Sequence, residues 1–220
     1  RADGTPGGVS PDVARRIAAA LDLPCEFVLF KGPGQLADTV HNDVWDIGNI
    51  AIEQARAETI NFSDPYVQID ANYMIRQDAL FTDNASIDTA GVTIAAYRNS
   101  AYDLWLSETL LNAKIVRYDS IEISHEMFRQ GETDVLASLK PKLLNDISSH
   151  DGYRIVEPSF TGIQQAVGIA KHRFDNSGSN DTSMPAMDFI NALIAEMIKD
   201  GVLADSMERH GVAHSLSIPR

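Results

Sequence analysis

Cysteine is almost missing from this 220-residue chain: Cys25 stands alone. One thiol excludes an internal disulfide and any multi-cysteine metal motif, and its neighbours Glu26, Phe27 and Val28 make it a packed strand residue. Basic residues are scarce as well, with 18 Lys+Arg against 31 Asp+Glu and a formal net charge of −13. Such a charge repels a phosphate backbone, so nucleic acid and anionic membrane surfaces are poor partners. No apolar run reaches the roughly 18 residues of a membrane span. No charged-then-apolar leader opens the sequence, and nothing in it is expected to act as an anchor. The six histidines, His41, His125, His150, His172, His210 and His214, form no His-Glu-x-x-His pattern. A Gly-x-Ser-x-Gly elbow and a glycine-rich phosphate loop are missing too, so neither a metal nor a cofactor is expected.

What is present suits a soluble globular protein. A hydrophobic content of 44% provides for real cores. Ser10 as N-cap, Pro11 at the first helical position and Val13, Ile17 and Leu21 at spacing four predict a helix over 11–21. "CEFVLF" then reads as a strand, "QLADTVH" as a short helix and "WDIGNIAI" as a strand, an order that suggests parallel pairing. "YVQIDANYMIR" is long and extended. A second α/β series follows, with strands at "GVTIAAY", "AKIVRY", "TDVLAS" and "YRIVE" separated by helices, one of them closing on Gly131 and another opening near Pro141. "QQAVGIAK" is extended again, "DNSGSNDTS" (175–183) reads as a solvated loop, and two helices end the chain. In the first of these, Met187, Ile190, Leu193 or Ile194, and Met197 recur at helical spacing and are expected to face the core.

Two α/β series joined by extended crossings near 74–78 and 159–164 predict two lobes. The first is discontinuous, residues 1–76 and 162–220, and the second is residues 77–161. Ligands of open α/β sheets sit at the carboxyl ends of strands, which gives weight to residues just past "DIGNIAI", "GVTIAAY" and "TDVLAS". Arg56 is one of them. A guanidinium there offers a two-pronged donor to a carboxylate; the blander alternative is a surface arginine paired with Glu53 or Glu58.

The segment "WDIGNIAIEQARAETINFSDPY" resembles a signature of the periplasmic solute-binding proteins of polar amino-acid ABC importers, family 3. In that family a Gly-x-Thr-x-Thr-x-x-Arg stretch precedes a Phe-Ser-x-Pro-Tyr corner. "GGVSPDVARRIAAALDLPCEFV", "GETDVLASLKPKL", "IQQAVGIAK" and "FINALIAEMIKDGVLADSMERHG" resemble further family segments in the same order. The resemblance implies an α/β, two-lobed Venus-flytrap fold, with two mixed sheets flanked by helices and two hinge crossings. It also implies a periplasmic, monomeric binding protein that captures a small carboxylate-bearing metabolite and hands it to an ABC permease of the inner membrane.

By the same resemblance, Arg56 matches the arginine that clamps the ligand's carboxylate, and Asn49 and Ala51 match ligand-facing positions. Phe62, Ser63, Pro65 and Tyr66 match the corner. Arg98, Asn99 and Ser100 match an anion-holding turn at a helix N-terminus. The sequence also departs from the pattern. Ala51 replaces a hydroxyl residue, Glu53 replaces the second threonine, and Leu139 stands where amino-acid binders place the aspartate that holds the ligand's ammonium. A buried ammonium without a counter-charge is costly, so an ammonium-free acid becomes a candidate ligand. Arg98 beside the anion site points to more than one anionic group, while Glu53 can instead neutralise an arginine or receive a ligand cation. The family's first strand and its aromatic wall would fall upstream of Arg1, leaving Tyr97 or Tyr66 as aromatic surface or as packing. Lys140 is either solvated or part of the site. Two other functions fit the resemblance: a dehydratase-like enzyme with Glu53 as general acid or base, and a ligand-sensing module.

Overall fold

The structure is a computed structural model that describes residues 4–175 and 183–219. Most of the stretch read as a solvated loop, 175–183, lies outside the described residues. In chain order the elements are α1 (Val9–Ala20), α2 (Pro33–Asp38), β1 (Gly48–Ala51), α3 (Gln54–Ala57), β2 (Ile60–Phe62), β3 (Val67–Arg76), α4 (Asn84–Ile87), β4 (Thr93–Tyr97) and α5 (Ala101–Thr109). They continue as β5 (Lys114–Tyr118), α6 (Ile121–Arg129), β6 (Val135–Leu139), α7 (Lys140–Ser149), β7 (Tyr153–Ile155), β8 (Thr161–Ala170), α8 (His172–Asp175), α9 (Ser183–Lys199), α10 (Val202–Arg209) and β9 (Leu216–Ser217). The chain forms two compact units, one of residues 1–68 and 164–220 and the other of residues 69–163. β3 and β8 each run from one unit into the other. Among the described residues, β1 and β2 pair with β8 in the discontinuous unit, and β3-β6-β4-β5 is the strand order of the continuous one.

In the discontinuous unit the core is a face of α1 (Val13, Ile17) against α9 (Met187, Ile190, Leu193, Ile194, Met197) and α10 (Leu203, Met207), with Tyr66 and Val167 inside. The apolar stripe of α9 therefore faces the core as its spacing predicts. Each such side chain stabilises the fold by about 1.5–3 kcal/mol when fully withdrawn from water. β1 and β2 both pair antiparallel with β8, Asn49 opposite Val167 and Asn61 opposite Ile169. Gly168 permits this, because a Cβ there would come within 2.6 Å of Ile60 Cγ2.

Three expectations fail in this unit. Helix α1 starts earlier than Pro11, with Gly8 as N-cap at φ 123°, a conformation that only glycine adopts without strain. Ser10 falls in the first turn and bonds the Tyr66 hydroxyl at 2.7 Å, while Leu21 lies beyond the helix and is half exposed. "CEFVLF" is not a strand, and Cys25 is partly exposed. A strand exists through its partners, and no described strand flanks this one; Val28 is 53% and Leu29 77% exposed, and the Phe27 ring lies under the Arg15 guanidinium at 4.9 Å. The parallel pairing expected here is consequently missing among the described residues, and β1 pairs with the antiparallel β8 instead.

The continuous unit is closer to its reading. β5 and β6 flank β4 in parallel, from Thr93 opposite Lys114 to Tyr97 opposite Tyr118, and β3 runs antiparallel to β6. The core of this unit is Met74, Ala95, Phe128, Leu136 and Leu143. Helices α5 and α6 start on side-chain caps: Ser100 accepts from the Asp103 amide and Ser120 from the Ile123 amide. Gly131, at φ 89°, follows the end of α6.

Candidate functional site

In the discontinuous unit, the residues picked from the sequence gather at the carboxyl end of β1. Asn49 and Ala51 belong to the strand, Glu53 is the N-cap of α3 and Arg56 lies in that one-turn helix. The turn folds the arginine back over the strand end, and its Nη1 donates to the Ala51 carbonyl at 3.0 Å. Arg56 is only 5% exposed, so it is not a surface arginine. Burial holds its guanidinium below the ordinary arginine value, and the Glu53 carboxylate opposes that shift.

The Phe-Ser-Asp-Pro-Tyr corner fixes this turn to the sheet. Ser63 exchanges both hydrogen bonds with Val167: its amide donates to the Val167 carbonyl at 2.9 Å, and the Val167 amide donates to Ser63 Oγ at 3.0 Å. One side chain thus continues the ladder where the backbone turns away. The Asp64 amide donates to Asn191 of α9 at 2.7 Å, and the Tyr66 amide to Gln165 at 2.9 Å. Ser63→Ala leaves the buried Val167 amide unsatisfied and is expected to lower the unfolding free energy by about 1–3 kcal/mol. Urea denaturation checks it; an unchanged midpoint would mean that water replaces the hydroxyl.

Tyr66 is no aromatic wall. It is 0% exposed, and its hydroxyl donates to Asn49 Oδ1 at 3.2 Å and meets Ser10 Oγ at 2.7 Å. Burial raises the phenol far above its ordinary value, so it stays a neutral donor.

In the continuous unit, Tyr97, Arg98, Asn99 and Ser100 form the turn from β4 into α5. Asn99 adopts φ 57° and Ser100 caps the helix. The anion that this turn holds is the chain's own. Asp103, 1% exposed, accepts from the Asn99 amide at 2.9 Å and from Arg117 Nε at 2.8 Å. The expectation that amides here await a ligand anion is corrected to that extent for Asn99. Arg98 is exposed and pairs with Asp119 at 3.1 Å, not with a buried group. Leu139 ends β6 opposite Ala71 and is the N-cap of α7, and Lys140 is committed to Glu157 at 2.7 Å. The site residues thus fall into two sets, Asn49, Ala51, Glu53 and Arg56 in one unit and Tyr97 to Ser100 and Leu139 in the other.

A model of the bacterial extracellular solute-binding proteins, family 3, matches residues 1–213. The chain belongs to that family. Among relatives of this family-3 protein, the L-cystine-binding protein TcyJ of Escherichia coli is 23% identical over 210 residues, covering 94% of this chain and 75% of the relative. The glutamate-binding protein GluB of Corynebacterium glutamicum is 24% identical over 155 residues, 69% of this chain and 50% of the relative. Of solved structures, the solute receptor for L-cysteine of Neisseria gonorrhoeae superposes with a TM-score of 0.75 at 20% identity, over 95% of this chain and 82% of that one. A variant of ArgBP from T. maritima superposes at 0.74 and 20% identity, over 94% and 86%. The fold is accordingly α/β, of the two-lobed periplasmic-binding-protein type.

Sequence reasoning missed one group in this family-3 chain. His125 of α6, 5% exposed, places Nδ1 at 2.5 Å from Asp146 Oδ2 of α7 and Nε2 at 2.9 Å from Ser138 Oγ of β6. Arg129 Nη1 adds a contact to the same carboxylate at 3.3 Å. The available signal was helical spacing: His125 lies four residues after Ile121 and three before Phe128, hence on the buried face.

Proposed function

We propose that the protein is the substrate-binding component of an amino-acid-type ABC importer. It captures a small carboxylate-bearing metabolite, an amino acid or organic acid, between its two units and delivers it to an inner-membrane permease. The observation that carries this reading is Arg56, a guanidinium buried at the carboxyl end of β1 in a chain of this family. Withdrawing a cation from water is costly, and an arriving carboxylate offsets that cost through charge-assisted hydrogen bonds. Relatives named for L-cystine and glutamate support an amino-acid ligand. Leu139, apolar and at the end of β6, favours acids that need no counter-charge for an ammonium at that point.

A thermal-shift screen against amino acids, dicarboxylates, other organic acids and phosphorylated metabolites tests the reading. A ligand present at a hundredfold excess over its Kd stabilises the folded state by about 2.7 kcal/mol. The expected result is a stabilising carboxylate with affinity confirmed by calorimetry. A response only to compounds without a carboxylate overturns the reading, and product formation abolished by Glu53→Gln would assign an enzyme instead.

A further inference from the structure

The hydrogen bonds from Asp146 to His125 to Ser138 follow the order of a serine hydrolase's catalytic relay. Ser138, however, is 0% exposed, and no electrophile reaches its hydroxyl. The same geometry has a different use here. With the Asp146 carboxylate accepting from Nδ1–H, a neutral ring leaves Nε2 as the acceptor of the Ser138 O–H. A second proton turns Nε2 into a donor, and the Ser138 hydrogen must then point elsewhere. Beside it lies Tyr102 of α5, whose buried hydroxyl approaches the Ser100 and Ser138 hydroxyls without meeting hydrogen-bond geometry to any described group. Burial pushes that phenol up to about 12, so it remains protonated and can accept from Ser138 or donate to it.

We propose that His125 is a positioning residue for the end of β6: its ring sets the direction of the Ser138 hydroxyl, and gain of a proton reverses that bond and shifts the β6–α7 corner at Leu139 and Lys140. The meaning of this shift for ligand affinity rests on the function proposed above; the relay itself does not.

The surroundings of the ring define the sign. From α7 it faces Asp146 and Lys142, along α6 Arg129 and Glu122, and from β6 the Ser138 hydroxyl. β4 is Thr93–Tyr97 and carries no charged side chain, and Arg117 of β5 is held by Asp103. Burial lowers the ring's affinity for a proton, Asp146 raises it, and Arg129 and Lys142 lower it, for a net shift below the ordinary histidine value. A depressed histidine binds its proton more readily in the unfolded chain. The stability it confers is therefore complete above the ordinary histidine range and falls as pH drops below that range toward the folded value.

The test is an NMR pH titration of the isotope-labelled, ligand-free full chain, from mildly alkaline to mildly acidic pH. The ring nitrogens of His125 should report the Nδ1–H tautomer at the alkaline end, and the Ser138 and Leu139 amides should move with the same midpoint as the ring. In Ser138→Ala the ring should still titrate while Leu139 no longer follows; in His125→Gln the movement at Leu139 should be lost. A stationary Leu139 in the wild type, a ring that takes no proton before unfolding, an Nε2–H tautomer, or an unchanged Leu139 response in Ser138→Ala overturns the proposal. Because no ligand is added, failure of the proposed ligand reading leaves this result intact.

Discussion

On the function proposed above, Arg56→Ala is expected to weaken binding of the proposed carboxylate ligand at least tenfold. The estimate follows from the strength of charge-assisted hydrogen bonds, about 1.5–3 kcal/mol each, of which a guanidinium can offer two to one carboxylate. The substitution also removes the donor to the Ala51 carbonyl, 3.0 Å away at the strand end. That carbonyl lies in a buried residue, so the variant should lose about 1–3 kcal/mol of stability as well. The two effects separate cleanly: calorimetry on variant shown folded by circular dichroism reads affinity, and urea denaturation without ligand reads stability. Arg56→Lys keeps the charge but not the fork, and should recover only part of the affinity. Unchanged calorimetric affinity in Arg56→Ala would remove the guanidinium from the site.

Asp103→Ala is expected to cost about 3 kcal/mol of stability, the low end for breaking a buried ion pair. The low end applies because Arg117 is about one-third exposed and recovers some hydration, while Asp103 is not. What is left behind is a guanidinium bonded to the Ser107 hydroxyl and an Asn99 amide without its carboxylate. Asn99 holds a left-handed backbone conformation in which that amide bond is part of the restraint. The β4–α5 turn should therefore loosen even where the sheet persists. Asp103→Asn, which retains an acceptor for the Asn99 amide, should lose less. Equal midpoints for wild type and Asp103→Ala in denaturant would show that the carboxylate contributes nothing net.

The elements legible in the sequence were those whose signals are local. The stripe on α9, the glycine at 131 that closes α6 and the strand β6 could be read because spacing and turn residues determine them. "CEFVLF" misled because an apolar run states only that a segment could be a strand; whether it pairs depends on neighbours far along the chain. The same division runs through the candidate site. Arg56 was legible as a motif residue, whereas its 5% exposure depends on packing. Ser100-x-x-Asp103 has the spacing of a helix-capping box, a local sign that the turn carries its own anion. The contacts of His125 with Ser138 and Asp146 join three separate elements and leave no pattern in the order of residues.

The nested order of the two units has a consequence for how the chain acquires its structure. Residues 69–163 form one uninterrupted stretch, so every partner needed for that unit is present once synthesis has passed it. The other unit must wait. Its core joins Val13 and Ile17 of α1 to Leu203 and Met207 of α10, and until α9 and α10 arrive the apolar face of α1 lacks most of its cover. Closing so long an intervening segment costs about 4 kcal/mol of chain entropy by the logarithmic length rule, less if the inner unit has already drawn its ends together. Assembly is thereby ordered from the inside outward, and the hazard of aggregation falls on the interval in which the first helix exists and its partners do not.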